Sequence, residues 1–206
     1  MTHFTVAILV PQFVADVPAF IERQMYRFSE HLDVPPYVCY SPQEAAAEIA
    51  DTIHRLELIV SRKESHYDLD KCRQEIEDLR RTTPEERYRE RLRLHERFND
   101  QGEPLSTYNP DSKWDWYVIG GRWDGWINDI ETGSERFEDN TATTQQAIER
   151  GKIPHAIVTP DGAWHERGRM GWWAVLLTEN ENWDDQARAL FECHPECRVV
   201  IVDTHI

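Results

Sequence analysis

"HFTVAILV" (residues 3–10) and "RVVIVDTH" (residues 198–205) lie at opposite ends of the chain, and they decide its fold. Both are nearly continuous apolar, β-prone runs, which predicts strands covered on both faces. Further short strands are predicted at 114–119, 123–128, 155–159 and 171–178. Apolar residues at helical spacing predict helices at 16–32, 143–150 and 183–192. We therefore expect an α+β fold, in which a mostly antiparallel sheet is covered by helices.

The segment 42–100 has a different character from these strands. Ser41-Pro42-Gln43-Glu44 and Thr83-Pro84-Glu85-Glu86 each combine an N-cap hydroxyl, a proline at the first helical position and a glutamate at N3. Two or three helices with narrow apolar seams and charged outer faces are expected there. We interpret 1–206 as a single α+β domain with 42–100 as a helical insertion, either a solvated arm or a surface for a protein partner.

Composition excludes several classes of function. The chain has 206 residues and a formal net charge of −15, so a generic nucleic-acid binder, which needs basic residues on phosphates, is not expected. No apolar stretch approaches the length needed to cross a bilayer, and the first residues do not resemble a signal peptide. Four scattered cysteines fit reduced thiols, which predicts a cytoplasmic protein. A pocket for one small anion needs only two or three local cations.

The segment "SKWDWYVIGGRWDGW", residues 112–126, holds four of the eight tryptophans. It is either core packing with a tight corner or the wall of a ligand pocket. Strand alternation predicts Trp114, Trp116 and Val118 on one face. Gly120-Gly121 can form an anion nest, and Arg122 either binds a ligand or pairs with Asp115 or Asp124. In the pocket interpretation the ligand-binding residues are Lys113, Trp114, Trp116, Arg122, Trp123 and Trp172.

Histidines and carboxylates near both chain ends form a second candidate site. If the terminal strands are antiparallel neighbours, His3, Asp203 and His205 converge, with His3 and His205 within about 10 Å of each other. If the strands are parallel, the cluster fails. These three residues could bind a divalent transition metal for hydrolysis, with His165 and Glu166 as catalytic acid or base. The alternative is a structural His205 that is hydrogen-bonded to Asp203.

Several long motifs resemble an uncharacterised family of phage and bacterial proteins. The similarity rests on the HFTV start, the KWDWYVIGGRW motif at residues 113–123 and the VDTHI end, and it spans most of the chain outside 60–100. The resemblance implies a cytoplasmic, virus- or prophage-encoded protein. It implies counter-defence or host modulation, where small nucleotide signals are common targets, and it transfers no catalytic residue.

Two functions of different classes follow from the residues. The first is binding of a small anionic, nucleotide-like ligand in a tryptophan-lined pocket, with metal-dependent phosphoester hydrolysis as the expected chemistry. The second is a non-catalytic binding or inhibitor protein, whose helical arm 42–100 contacts a protein partner while the tryptophans are core.

Overall fold

The structure is a computed structural model that describes residues 3–64, 66–131, 133, 136–168 and 180–206. The chain divides into two compact units. The sheet unit comprises Met1–Asp33 and Asn109–Ile206, and the helical unit comprises Val34–Tyr108. The predicted insertion 42–100 falls inside the helical unit, which begins and ends several residues beyond it.

Six strands form the sheet of this unit in the residues that the structure describes. They are β1 (His3–Pro11), β4 (Trp116–Ile119), β5 (Thr141–Thr143), β6 (Ala156–Val158), β7 (Trp164–Glu166) and β8 (Cys197–His205). Their order is β4-β8-β1-β6-β7, and β5 also pairs with β8. The α+β class is confirmed, but the sheet is mixed, because β1 and β6 run parallel while the other pairs are antiparallel.

Alternation along β1 and β8 separates two cores on the two faces of this sheet. One face carries Phe4, Val6 and Ile8, and helix α1 (Val17–Tyr26) packs on it. The other face carries Ala7 and Leu9, and it is covered by α5 (Thr144–Glu149) and α6 (Trp183–Cys193). The continuous apolar runs at the chain ends are thus explained by burial on both faces.

The helix predictions differ from the structure mainly at their ends. Asp16 caps α1 by accepting from the Ala19 N–H, and α1 ends at Tyr26, well short of the predicted end at 32. Thr143 and Gln146 form a capping box at the start of α5. Asn182 precedes α6, but its side chain makes no capping hydrogen bond.

Two strand predictions have a different outcome. The strand predicted at 123–128 is wrong, because the segment forms 3₁₀ turns at Gly121–Trp123 and Trp126–Asn128, joined through Gly125 at a φ of 75°. The strand predicted at 171–178 lies outside the described residues. Sequence patterns missed the three-residue strands β5 and β7. Gly162, with a φ of 84°, lies in the turn that joins β6 to β7.

The helical unit contains three helices and one small sheet in the part that the structure describes. These are α2 (Pro42–Arg62), α3 (Leu69–Arg81), α4 (Pro84–Leu92) and the paired strands β2 (Tyr37–Val38) and β3 (Leu105–Ser106). The apolar seam predicted along α2 and α3 is a small core, which includes Leu56, Ile59 and Ile76. Both predicted helix starts are present, since Ser41 accepts from the Glu44 N–H and Thr83 forms a capping box with Glu86.

Polar contacts join α2 to α4. Glu48 accepts hydrogen bonds from Tyr40 Oη at 2.6 Å, from Arg87 Nη2 at 2.7 Å and from Arg91 Nε at 2.9 Å. Burial would raise the pKa of Glu48, but the hydrogen bonds from Arg91, Tyr40 and Arg87 outweigh it and lower the pKa to about 2. None of the helices in the described ranges combines the length and the hydropathy that a membrane span requires.

Candidate functional site

The first and last strands lie side by side. β1 and β8 are antiparallel with His3 opposite His205, and the two imidazole ring centroids are 5.1 Å apart. This confirms the predicted antiparallel pairing and the predicted proximity of the two histidines. Because directly opposed residues point to the same face, Thr5 and Asp203 stand on that face as well.

Each imidazole is hydrogen-bonded to a carboxylate through the same ring nitrogen. His3 Nδ1 lies 2.9 Å from Asp203 Oδ1 and 3.1 Å from Asp203 Oδ2. His205 Nδ1 lies 2.6 Å from Asp115 Oδ1. Asp115 reaches this position because the chain bends there just before β4, where its N–H donates to the His205 carbonyl at 3.1 Å. We call the two His–carboxylate pairs the dyads. They replace the expected structural pairing of His205 with Asp203.

This arrangement sets the tautomer of both histidines. A carboxylate only accepts hydrogen bonds, so the Nδ1 atoms carry the hydrogen and the Nε2 atoms of the neutral rings hold the lone pair. His205 Nε2 is buried without a hydrogen-bond partner. His3 Nε2 has no hydrogen-bond partner in the described part of the chain. A buried imidazole nitrogen without a partner is unusual in proteins and calls for an explanation, of which a catalytic role is one.

The Gly-Gly corner explains how Asp203 is held. The backbone N–H of Arg122 donates to Asp203 Oδ2 at 3.0 Å. A Cβ on Gly121 would stand 2.6 Å from both Cβ and Oδ2 of Asp203, and a Cβ on Gly120 would stand 2.5 Å from Asn140 Nδ2. Both glycines have positive φ. The anion held at the Gly-Gly turn is therefore the carboxylate of Asp203 itself. Only glycine at positions 120 and 121 leaves room for the neighbouring side chains to approach the backbone so closely.

An exposed indole and a free guanidinium belong to the same region of the chain. Trp116 is 49% exposed, and its ring centroid lies 6.0 Å from that of His3 and 6.5 Å from that of His205. The Arg122 side chain is exposed, and within the described ranges it has no ion-pair partner. Its pairing with Asp115 is not observed, because the carboxylate of Asp115 bonds His205.

The other tryptophans do not share one pocket. Trp114 packs with Tyr117 on the α1 face, the side of the sheet opposite Trp116, because the bend at Asp115 breaks the alternation that predicted a common face. Trp123 lies against the core of the α5–α6 face, where its Nε1 is buried without a partner. Trp172 lies outside the described residues. Of the tryptophans predicted to line one pocket, Trp116 is therefore the one that the structure places beside the dyads.

Three further predicted site residues lie away from the dyads. Lys113 Nζ pairs with Glu166 Oε1 at 2.9 Å, and Glu166 Oε2 accepts from Trp164 Nε1 at 2.8 Å. His165 is on the opposite face of β7, where it lines a small cleft with α6. His165 is paired across the sheet with Ile157, and Ile157 is paired with Ala7, which lies four residues along β1 from His3. Lys113 and Glu166 form an ion pair on the α1 face, and His165 does not reach the dyads.

The three predicted metal ligands are arranged differently from a metal centre. Asp203 directs both oxygens at His3 and at the Arg122 N–H, so it orients an imidazole. Across the described ranges, the one group of three side chains spaced for a metal is His194, Glu196 and Cys197. Burial, and then Glu196, raise the pKa of the Cys197 thiol to about 11. This disfavours the thiolate that a metal would need.

Comparison with known proteins adds no assignment to this geometry. The chain matches no protein-family model, no curated protein and no solved structure. The arrangement of the dyads is therefore the basis for any functional conclusion.

Proposed function

We propose that the dyads form an acid–base site that binds a small anionic, nucleotide-like ligand and hydrolyses its phosphoester. The observation that carries the proposal is a pair of adjacent imidazoles, each fixed by a carboxylate at Nδ1 and neither with a hydrogen-bond partner at Nε2 among the described residues. Histidine is the side chain that most readily exchanges a proton near neutral pH. Two such groups side by side supply the base and the acid that a displacement at phosphorus requires.

The proton balance of the reaction is simple. One imidazole accepts a proton at Nε2 from a water molecule, which forms a new P–O bond. The other, entering as imidazolium, donates its Nε2 proton to the leaving oxygen as the old P–O bond breaks. One water is consumed, and Asp203 and Asp115 stabilise the positive charge on whichever ring carries it. No step in this sequence needs a metal. In the alternative chemistry, His3 and His205 would help to hold a divalent transition metal, which would supply a Lewis acid and an activated water.

Trp116 and Arg122 support the choice of ligand. An exposed indole offers a face on which a base can stack, and stacking of this kind tolerates every base. An unpaired guanidinium forms bidentate hydrogen bonds with phosphate. Together they favour a nucleotide over a simple anion, since one side chain contributes to the base and the other to the phosphate.

Hydrolysis of bis(p-nitrophenyl) phosphate, a generic phosphodiester, tests the proposal. His3→Gln and His205→Gln should each lower kcat/KM by about 10²- to 10⁴-fold. His66→Gln, at an exposed histidine of the helical unit, is the matched control and should leave the rate unchanged. Activity that survives EDTA supports the acid–base mechanism, and activity that is lost and then restored by a transition metal assigns the site to metal chemistry. No hydrolysis, combined with no thermal shift from any nucleotide, would contradict the proposal.

A non-catalytic role for the helical unit remains the second candidate function. It is supported by two large apolar side chains on that unit, Leu94 at 69% and Phe98 at 45% exposed. A joint Leu94→Ser and Phe98→Ser variant should then lose a protein partner that the wild-type chain retains from a host lysate. His3→Gln should keep that partner, which separates the two functions.

A further inference from the structure

A groove of about 560 Å³ lies on the α1 face of the sheet unit, between α1 and the edge strand β4. It forms because β4 has no strand beyond it in the described sheet, so that its α1-facing side chains are only partly covered. Its lining includes Asp16, Glu22, Tyr26, Trp114 and Tyr117. This is the side of the sheet opposite the dyads, and the proposed hydrolysis uses none of these residues.

Aromatic rings form much of the groove wall, and contacts fix the orientation of two of them. Trp114 Nε1 donates to the Met25 carbonyl at 3.0 Å. The Trp114 and Tyr117 rings meet edge to face with centroids 4.9 Å apart. Tyr26 adds a third ring, 57% exposed. The faces of such rings carry negative charge density, so that a preformed set of them attracts cations.

The charged groups of the lining are both acidic. Glu22 lies one helical turn before Tyr26, on the same side of α1, and within the described ranges its carboxylate has no hydrogen bond or ion pair. Asp16, at the start of the helix, uses Oδ1 to cap it. Arg23, next to Glu22 in sequence, instead lies over the Phe20 ring at 5.2 Å from its centroid. The groove therefore combines aromatic side chains with two carboxylates.

The pKa of Tyr117 also reflects the negative charge near the groove. Burial, and then the negative charge of Glu22, raise the pKa of the Tyr117 phenol. The phenol therefore stays neutral over the physiological range, and the ring keeps its ability to contact a cation without adding a charge of its own.

We propose that this groove binds a free small molecule with a quaternary ammonium head group. A primary ammonium carries three N–H donors that must find acceptors when it leaves water, and the walls offer mainly apolar and aromatic surface. A quaternary ammonium has no N–H, is weakly hydrated, and is the cation that aromatic cages recognise best. The volume of the groove falls within the range of small-molecule sites.

Titration calorimetry with choline tests the proposal on the wild-type chain, without any substitution. The uncharged isostere 3,3-dimethylbutan-1-ol has the same shape, and it should bind at least about fivefold more weakly if the positive charge is recognised. Ethanolamine, the primary amine, should also bind more weakly. Equal affinity for choline and the alcohol would show an apolar groove only, and equal affinity for ethanolamine would show simple ion pairing. Either result, or no binding of choline, overturns the proposal.

Variants then locate the site. Glu22→Gln and Tyr26→Ala alter exposed side chains, so that folding should be retained, and each should weaken choline binding at least about fivefold. Phe13→Ala removes an aromatic ring that is 86% exposed and outside the groove, and it serves as the matched control. Thermal unfolding midpoints that match the wild type exclude misfolding as the cause. Loss of affinity in Phe13→Ala but not in the groove variants would place the cation elsewhere and overturn the assignment.

Discussion

Replacement of Asp203 by asparagine should remove activity while leaving the protein folded. An asparagine that keeps the hydrogen bond from the Arg122 N–H places its oxygen at the Oδ2 position and its NH₂ group at the Oδ1 position. Oδ1 lies 2.9 Å and Oδ2 3.1 Å from His3 Nδ1, so the shorter contact would bring two donors together, and only the longer one would still offer an acceptor to Nδ1–H. The conflict is relieved if the imidazole changes tautomer, with Nδ1 accepting and Nε2 carrying the hydrogen. His3 then has no lone pair at Nε2 to act as a base.

The magnitude follows from the contacts that change. With the tautomer switched, every hydrogen bond survives, but a charge-assisted pair becomes a neutral one, which costs about 1 kcal/mol. For a chain of this size, that lowers Tm by about 2 to 4 °C. Activity should fall much further, by up to about 10⁴-fold, because the wrong tautomer blocks proton transfer. If the ring did not switch, a buried donor would stay unpaired, which adds about 1 to 3 kcal/mol of destabilisation.

The assay combines phosphodiester hydrolysis, thermal unfolding and ¹⁵N NMR of the imidazole nitrogens. NMR should show the hydrogen of His3 moved from Nδ1 to Nε2 in Asp203→Asn. Asp115→Asn is the matched variant for His205, and it should cost less stability because Asp115 is 31% exposed whereas Asp203 is 2% exposed. A folded Asp203→Asn protein with unchanged kcat/KM would refute the reasoning, as would a His3 that keeps its hydrogen on Nδ1.

Three further outcomes are expected. Gly121→Ala should lose at least about 2 kcal/mol of stability and most activity, because positive φ is strained for alanine and its Cβ would displace Asp203. Calorimetry and hydrolysis assays check this, and a fully active variant would contradict it. The pKa of Glu48 falls from 4.5 to about 2 on folding, so its ionised carboxylate should stabilise the protein by at most about 3 kcal/mol above pH 4.5. This contribution should be lost as the pH falls toward 2. The difference in unfolding free energy between wild type and Glu48→Gln should therefore shrink from pH 7 to pH 3, and a constant difference would argue against it. Lys113→Met should change the rate of phosphodiester hydrolysis little and the stability by less than about 1 kcal/mol, because the Lys113 ammonium pairs with a carboxylate on the α1 face. A large loss of activity would show that Lys113 contributes to the site after all.

Long apolar segments and helix starts could be predicted well from sequence, whereas short or irregular elements could not. The patterns of β1, β8 and α5 carry local signals, namely apolar runs and a capping box, which depend on few distant contacts. The segment 123–128 looks like a strand because it is rich in tryptophan, but the positive-φ glycines Gly120, Gly121 and Gly125 turn the chain into 3₁₀ structure there. β5 and β7 have three residues each, too few to establish a period of two.

The candidate site was only partly predictable for a related reason. His3, Asp203 and His205 could be grouped by assuming that the terminal strands pair, because strand pairing is a regular geometry. Asp115 was missed as the partner of His205, since its position depends on a bend before β4 that no local pattern encodes. Lys113 and Trp114 were placed in the wrong surroundings, because that bend decides to which face of the sheet they belong.

The amino-acid sequence alone was sufficient to specify which segments become the central strands, where the principal helices begin, and that both chain ends bring a histidine to the sheet. These properties depend on residue type and spacing, which act over a few neighbouring residues. Tertiary structure decided which carboxylate orients which imidazole, that the Gly-Gly corner encloses Asp203, and that a groove of aromatic and acidic residues opens on the opposite face. Such contacts join residues distant in the chain, and ångström-scale differences in backbone path determine whether they form.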